Sequence, residues 1–371
     1  MFILMMQELV GSSVECANLI TAAALSRLLG AQVFKKMKGQ SDEIIIIDGE
    51  SCQQSVAKFN TKTIQWSKMP DTNVVRRWPS AVNYNQQILL MGGNKGMTYY
   101  NSVEMLELND ENPKWDSNLP SMGEKRCEFA SALLNGLVYC AGGYNDTGYL
   151  SSCESYNPEE RKWSSIRNMN QIRNSHALVS ARALLSEFNS FHERTSVQCF
   201  HPGFFRTRNP VFSALFYDSK PGVLKCQDRD IWKNPGLLYA LGGGVSNCAT
   251  NTAECYDPRN GKWEYIPPMK TCRYGLTAVV LNNEIYAIGG YDGSKYLSSV
   301  EKYNLDTKTW IDVPSMNHLR CGGSACVVDG LIWVFGGYGA KTVEFYDPAT
   351  NKWQVSTNMD SERNFPCVLS F

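Results

Sequence analysis

The sequence predicts an all-β fold: a β-propeller of six blades, closed by pairing of the C-terminal strand with the first blade. Three observations predict it. A pair of glycines closes an apolar run five times, at Gly92-Gly93, Gly142-Gly143, Gly242-Gly243, Gly289-Gly290 and Gly336-Gly337, with Asp48-Gly49 as a weaker sixth case. An ordered set of further residues recurs around each pair at near-constant spacing. The two ends of the chain carry complementary parts of one more copy. Self-similarity at a period of roughly 40–50 residues marks repeat architectures of this kind.

The markers run in order. After each glycine pair comes a Glu two residues before an aromatic or aliphatic side chain: Glu104 and Leu106, Glu154 and Tyr156, Glu254 and Tyr256, Glu301 and Tyr303, Glu344 and Tyr346. The first copy has Ala57 and Phe59 in these places. A Trp stands nine residues beyond that position at Trp66, Trp163, Trp263, Trp310 and Trp353, and eleven beyond it at Trp115, so one turn carries two extra residues. Met169, Met269, Met316 and Met359 each follow their Trp by six residues. Arg76, Arg126, Arg273 and Arg320 each precede a glycine pair by 16 residues, and Arg173 and Arg363 stand at the same place in two altered copies.

Each copy reads as four short strands. Strand A follows the Arg, as in residues 276–281. Strand B is the apolar run into the glycines, as in residues 284–288, nearly continuous in Ile, Tyr and Ala, as a strand buried on both faces requires. The glycines let the backbone turn, or pass close to a neighbour where a Cβ would clash. Strand C carries the alternation Val-Glu-x-Tyr, of period two. Asn157-Pro158, Asp257-Pro258 and Asp347-Pro348 are turn signals, and strand D carries the Trp. One blade cannot bury both its faces, whereas six around an axis cover one another. The Tyr and Trp side chains are therefore expected between blades, as structure rather than chemistry.

This ordered set resembles the kelch repeat, most closely at residues 273–316, and the resemblance covers roughly residues 42–371. The kelch-like adaptors it points to carry a BTB dimerisation domain and a helical BACK domain before the propeller, and this chain lacks the room for either.

The ring also closes in the sequence. The first copy begins at Asp42 with strand B and lacks an Arg and a strand A. The chain ends with Arg363 and an apolar strand that has no strand B after it. Residues 366–371 are therefore expected to pair with 43–47 in a composite blade.

Two stretches break the pattern. Gly242 lies 69 residues after Arg173 instead of 16, and excising residues 181–233 restores the spacing. This insertion falls in the A–B turn of the fourth blade and has no repeat character. It reads either as a loop or as a translated retained intron; its His192, His201, Cys199 and Cys226 match no zinc-site spacing. Residues 1–41 match no blade and are compatible with a helix. The chain is expected to be either a truncated gene model or a propeller-only product.

Composition narrows the function. Lys plus Arg and Asp plus Glu are both 36, so the formal net charge is zero and no basic excess exists for a phosphate backbone. No nucleic-acid or membrane partner is expected. The 13 cysteines are odd in number, form no Cys-x-x-Cys and sit partly in apolar strands, which fits a reducing cytoplasmic compartment. Residues 1–10 have no basic start, and the apolar run 44–47 is too short to span a bilayer. No nucleophile elbow, phosphate loop or dinucleotide fingerprint stands in context. Outside the insertion only His176 and His318 are present, too few for the metal set of kelch-type oxidases. No enzyme, cofactor or metal is expected.

Binding is the expected work. In a meander of four strands, the B–C and D–A turns emerge on one face and the A–B and C–D turns on the other. Loops on a rigid scaffold carry function. The B–C turns should present Tyr99, Tyr100, Tyr144, Asn145, Asp146, Tyr149, Tyr291, Asp292, Tyr296 and Tyr338; the D–A turns should present Trp78, Glu128, Ser175 and Asn364. Tyr144, Tyr291 and Tyr338 directly follow glycine pairs and are partly framework. The recurring arginines are read as mainly structural. In kelch-like adaptors this face takes a peptide of the partner, so the resemblance implies a protein-binding scaffold, the substrate-recognition module of an adaptor for a cullin-type ubiquitin ligase. An actin-associated kelch protein is the alternative on the same fold.

Overall fold

A computed structural model of the protein describes residues 41–47, 49–50, 54–182, 236–245 and 248–371. The described residues are all-β and form six four-stranded antiparallel sheets, with short two-stranded ribbons at three of the B–C turns. Five sheets are consecutive meanders. Blade 2 runs Ser80–Tyr84, Gln87–Met91, Val103–Glu107, Trp115–Asp116. Blade 3 runs Ala130–Leu134, Leu137–Ala141, Cys153–Asn157, Lys162–Ile166. Blade 4 runs Ala177–Ala181, Leu237–Leu241, Ala253–Asp257, Lys262–Ile266. Blade 5 runs Thr277–Leu281, Glu284–Ile288, Val300–Asn304, Thr309–Val313, and blade 6 Ser324–Val328, Leu331–Phe335, Thr342–Asp347, Lys352–Asn358.

Blade 1 is composite, as expected. Glu43–Ile47, Val56–Asn60 and Gln65–Met69 form strands B to D, and Cys367–Ser370 supplies strand A. The seam register pairs Ile47 with Cys367 and Ile44 with Ser370. Each strand A neighbours the next, and the Cys367–Ser370 strand lies beside both Ser324–Val328 and Ser80–Tyr84, which closes the circle.

The core lies between blades. Six apolar clusters each join two neighbouring sheets. Between blades 5 and 6, for example, Val279, Tyr286 and Ile288 pack on Ile332, Val334, Tyr346 and Trp353. Burying one such side chain contributes about 1.5–3 kcal/mol, so a sheet without its neighbour would expose a whole face. The tryptophans add a directed bond. The indole N–H of Trp115, Trp163, Trp263, Trp310 and Trp353 donates to Pro70, Pro120, Arg167, Pro267 and Pro314 carbonyls of the preceding blade, at 2.8–3.0 Å. Trp66 has no such acceptor. Its counterpart position would be Thr357, and there the last sheet slips register, pairing Val343 with Thr357 but Glu344 with Val355.

The Arg and Glu markers prove to be one device. Arg273 donates Nη1 to the Gly289 carbonyl at 2.7 Å and the Ser299 carbonyl at 2.8 Å, Nη2 to Ser299 Oγ at 3.1 Å, and Nε to Glu301 at 3.0 Å. Glu301 in turn accepts the backbone N–H of Lys270 and of Thr271. Arg76–Glu104, Arg126–Glu154, Arg173–Glu254 and Arg320–Glu344 repeat the pair at 2.8–3.0 Å. The arginines are at most 5% exposed. Each clamp ties a D–A crossover to the sheet it enters, which is why Arg, glycine pair and Glu keep their spacing.

The first glycine of each pair meets the next crossover. A Cβ on Gly289 (φ +63°) would stand 2.5 Å from the Arg320 carbonyl oxygen, a contact no other residue could make.

The A–B hairpins of blades 2, 3, 5 and 6 are two-residue turns with both residues left-handed, as at Asn135 (φ 54°) and Gly136 (φ 79°). In blade 4 Ala181 pairs with Leu237, so the ladder already includes a residue assigned to the insertion. Arg182 and Gly236 (φ 73°) occupy the two turn positions, which moves the insertion expected at 181–233 to 183–235. That segment lies outside the described residues, and so does the helix expected within 1–41.

Candidate functional site

The D–A crossovers converge at one mouth of the ring. Each places the residue two positions after its clamp Arg in the left-handed region: Trp78 (φ 53°), Glu128 (50°), Ser175 (46°), Gly275 (63°), Gly322 (68°) and Phe365 (50°). A left-handed non-glycine costs about 1 kcal/mol or more, and here a hydrogen bond offsets it. The N–H of Glu128 donates to Trp78, Ser175 to Glu128, Gly275 to Ser175, Gly322 to Gly275 and Phe365 to Gly322, at 2.6–3.1 Å. The Trp78 N–H donates instead to Gly49 at 2.7 Å, where the chain is wedged against Phe365. The result is a collar of backbone hydrogen bonds around the axis.

Inside the collar a cavity of about 220 Å³ follows the axis, lined by small strand A residues such as Ser80, Ala130, Thr277 and Ala325 and by His176. Burial pushes the His176 imidazole down to about 3, and both ring nitrogens lack a protein partner. Outside the collar a larger cavity, about 550 Å³, is lined by Trp78, Glu128, Tyr274, Tyr291, Ser294, Lys295, Tyr296, Cys321, Tyr338 and Phe365.

This outer wall is aromatic with one acidic centre. Tyr291 and Tyr296 meet edge to face at 5.7 Å, Tyr296 and Tyr338 stack at 6.1 Å and 14°, and Tyr338 meets Phe365 at 5.8 Å. Glu128 Oε2 accepts from Asn174 Nδ2 at 2.9 Å, Ser175 Oγ at 2.5 Å and Tyr274 Oη at 3.0 Å. Burial raises the Tyr274 and Tyr338 hydroxyls, with Glu128 adding to the first and chiefly Glu50 to the second, and pushes the Cys321 thiol up to about 12. These groups stay neutral, so the wall offers surface and hydrogen bonds rather than nucleophiles. Among the described residues no group of three or more His, Cys, Asp or Glu stands together to hold a metal ion.

Residues 125–170, 234–270, 272–317 and 319–360 each match the Kelch motif. The chain is a kelch-repeat propeller. It is 30% identical to mouse Kelch-like protein 23 over 146 residues, 37% of this chain and 25% of that protein. It is 31% identical to zebrafish Kelch-like protein 41b over 163 residues, 41% of this chain and 26% of that protein. Kelch repeat-containing protein kel-10 of Caenorhabditis elegans is 26% identical over 136 residues, 34% of this chain and 23% of that protein. The chain thus spans about a quarter of the length of the curated relatives it matches. Among solved structures, that titled "Structure of YjhT" superposes with a TM-score of 0.58 at 14% identity, covering 81% of this chain and 89% of that chain, a likeness of fold.

The kelch propeller sorts the sequence-predicted face into four groups. Trp78, Glu128, Tyr291, Tyr296 and Tyr338 line the outer cavity, and Ser175 lies buried beneath them at the inner one. Tyr99, Tyr144 and Tyr149 form a separate aromatic row on blades 2 and 3, at 5.6 and 5.8 Å, with exposed Asp146 nearby. Tyr100 lies against Arg76 at 5.4 Å, Asn145 is buried and bonded to the Lys125 carbonyl, and Asp292 caps its own turn through Ser294 and Lys295. Asn364 lines neither cavity; its neighbour Phe365 lines both.

Sequence reading missed Tyr274, Cys321 and Phe365. Counting one or two residues from the clamp arginine finds all three. Met122 was also missed: its N–H donates to the Asn101 carbonyl as Met269 does to Asn251, but it follows Trp115 by seven residues instead of six.

Proposed function

We propose that this kelch propeller is a protein-binding scaffold that receives a peptide segment of its partner at the B–C/D–A mouth. It acts there as the substrate-recognition module of a kelch-like adaptor for a cullin-type ubiquitin ligase. The observation that carries this reading is the aromatic cavity seated on a rigid collar: about 550 Å³ of concave surface with Tyr296 exposed on its rim. Tyr and Trp anchors in a preformed pocket are the usual centre of a binding surface. The Kelch-like names among the relatives support the adaptor role, with the ligase held through a BTB domain.

The test is affinity capture on the full chain, alongside Trp78→Ala and Tyr296→Ala variants whose thermal melts are unchanged. A partner lost from both variants, together with recovery of a cullin with the full-length gene product, is the expected result. Co-sedimentation with actin filaments and no cullin would replace the adaptor role with a cytoskeletal one.

A further inference from the structure

We propose that the outer cavity takes a cationic side chain, Arg or Lys, from the partner's peptide, with Glu128 as its counter-ion. This rests on the reading of that mouth as a peptide-binding surface. The five buried glutamates among the described residues, Glu104, Glu154, Glu254, Glu301 and Glu344, are each matched to an arginine, whereas Glu128 is half-buried. Glu128 has no such match: no Lys, Arg or His of the described residues lies within ion-pair distance of it. Its three protein donors are an amide and two hydroxyls, all at Oε2, and Oε1 accepts none of them.

The other charges at this mouth are accounted for. Glu50 is held by Arg77 at 3.2 Å, and Arg77 lies over the Trp78 ring at 4.8 Å. Asp292 is capped by its own turn. Lys295 is the one basic residue on the cavity wall; it sits on the exposed rim and makes no ion pair with Glu128. What remains is a carboxylate at the floor with aromatic rings on the wall, among them Trp78, Tyr274, Tyr338 and Phe365. Ring faces and a carboxylate both attract a cation and both disfavour an anion. A guanidinium would reach Oε1 with its N–H groups and stand over a ring, as Arg77 stands over Trp78.

The probe is a phage-displayed library of random dodecapeptides, panned on the whole chain and eluted. The expected result is binders enriched in Arg or Lys beside an apolar residue, which lose affinity about tenfold or more on Glu128→Gln. That variant keeps the shape and the acceptor at Oε2 while removing the charge, and an unchanged melting curve shows that it folds. Glu128→Lys should in turn accept the same peptides with Glu in place of the cation. Binders that are displaced by Trp78→Ala yet carry no cation, or that ignore Glu128→Gln, would overturn this inference and leave the peptide-binding surface standing. A library with no binder sensitive to Trp78→Ala or Tyr296→Ala would overturn both.

Discussion

Arg363 Nη1 and Ser55 Oγ, 308 residues apart in the chain, meet at 3.4 Å, and there the clamp that holds the other blades is incomplete. Arg363 is 3% exposed, yet Ala57 stands where the other sheets have Glu. Among the described residues it pairs only with the carboxylate of Asp360, at 3.7 Å and mostly exposed. Among the described residues, the blade that closes the ring is the one without a buried Arg–Glu pair.

Ala57→Glu should therefore stabilise the protein. The guanidinium is already desolvated, so adding its counter-ion supplies a charge-assisted bond without a new burial cost on the Arg side. A gain of about 1–2 kcal/mol is expected, read as a rise of a few degrees in the melting temperature. A fall would mean that the pocket beside Arg363 has no room for the carboxylate.

Glu301→Gln should do the reverse in an intact clamp. Breaking a buried pair by neutralising one partner costs about 3–5 kcal/mol, because Arg273 is left charged and unmatched. Urea denaturation measures it. The companion double change Arg273→Met with Glu301→Gln should recover part of the loss, since it removes the stranded charge. A loss below about 1 kcal/mol in the single variant would contradict the clamp.

The tryptophans give a paired comparison. Trp310→Phe removes an indole N–H that donates to Pro267 at 2.8 Å, whereas Trp66→Phe removes one with no acceptor. The first should cost about 1 kcal/mol more than the second. Equal losses would show that packing alone accounts for these side chains.

His176 makes stability depend on pH. Its folded value of about 3 lies well below the ordinary imidazole value of ~6.5, because burial disfavours the charged ring and Arg173 and Arg126 oppose it further. Between those two values the unfolded chain binds the extra proton, so this contribution is whole above about pH 6.5 and is lost as pH falls toward 3. From pH 7 to 5 the loss is about 1–2 kcal/mol. Urea titrations of His176→Gln should show a smaller loss by that amount. An identical profile would place the titration elsewhere.

Removing residues 364–371 should open the ring. It deletes the strand that pairs with residues 44–47 and takes Phe365 from the cavity. The variant should unfold over a broad range, without the single cooperative transition of the whole chain. A sharp transition near the original temperature would mean that the blades hold without closure.

The repeat made most of the fold legible. Arg, glycine pair, Glu and Trp recur because each makes the same bonds in sheet after sheet, and a bond repeated at fixed geometry leaves fixed spacing. The composite blade was legible for the same reason, as the halves of one unit stood at opposite ends. The site was legible in part. Trp78, Glu128, Tyr291, Tyr296 and Tyr338 were placed on one face by strand order alone, and they line one cavity. Phe365 was passed over for Asn364, one residue short of the place that Trp78, Glu128 and Ser175 hold two residues after their arginines.

By itself the sequence determined the number of sheets, their strand order, the closure and which turns share a face, since all of these follow from periodicity and connectivity. Only the tertiary structure decided that Arg and Glu markers are partners, that the left-handed crossover residues link into a collar, and that Glu128 lines the outer cavity with no cation of the described residues at ion-pair distance. Those are relations between residues up to hundreds of positions apart, set by how six sheets meet around an axis. No local pattern records them, because the distance between two side chains in different blades depends on the ring and not on either repeat.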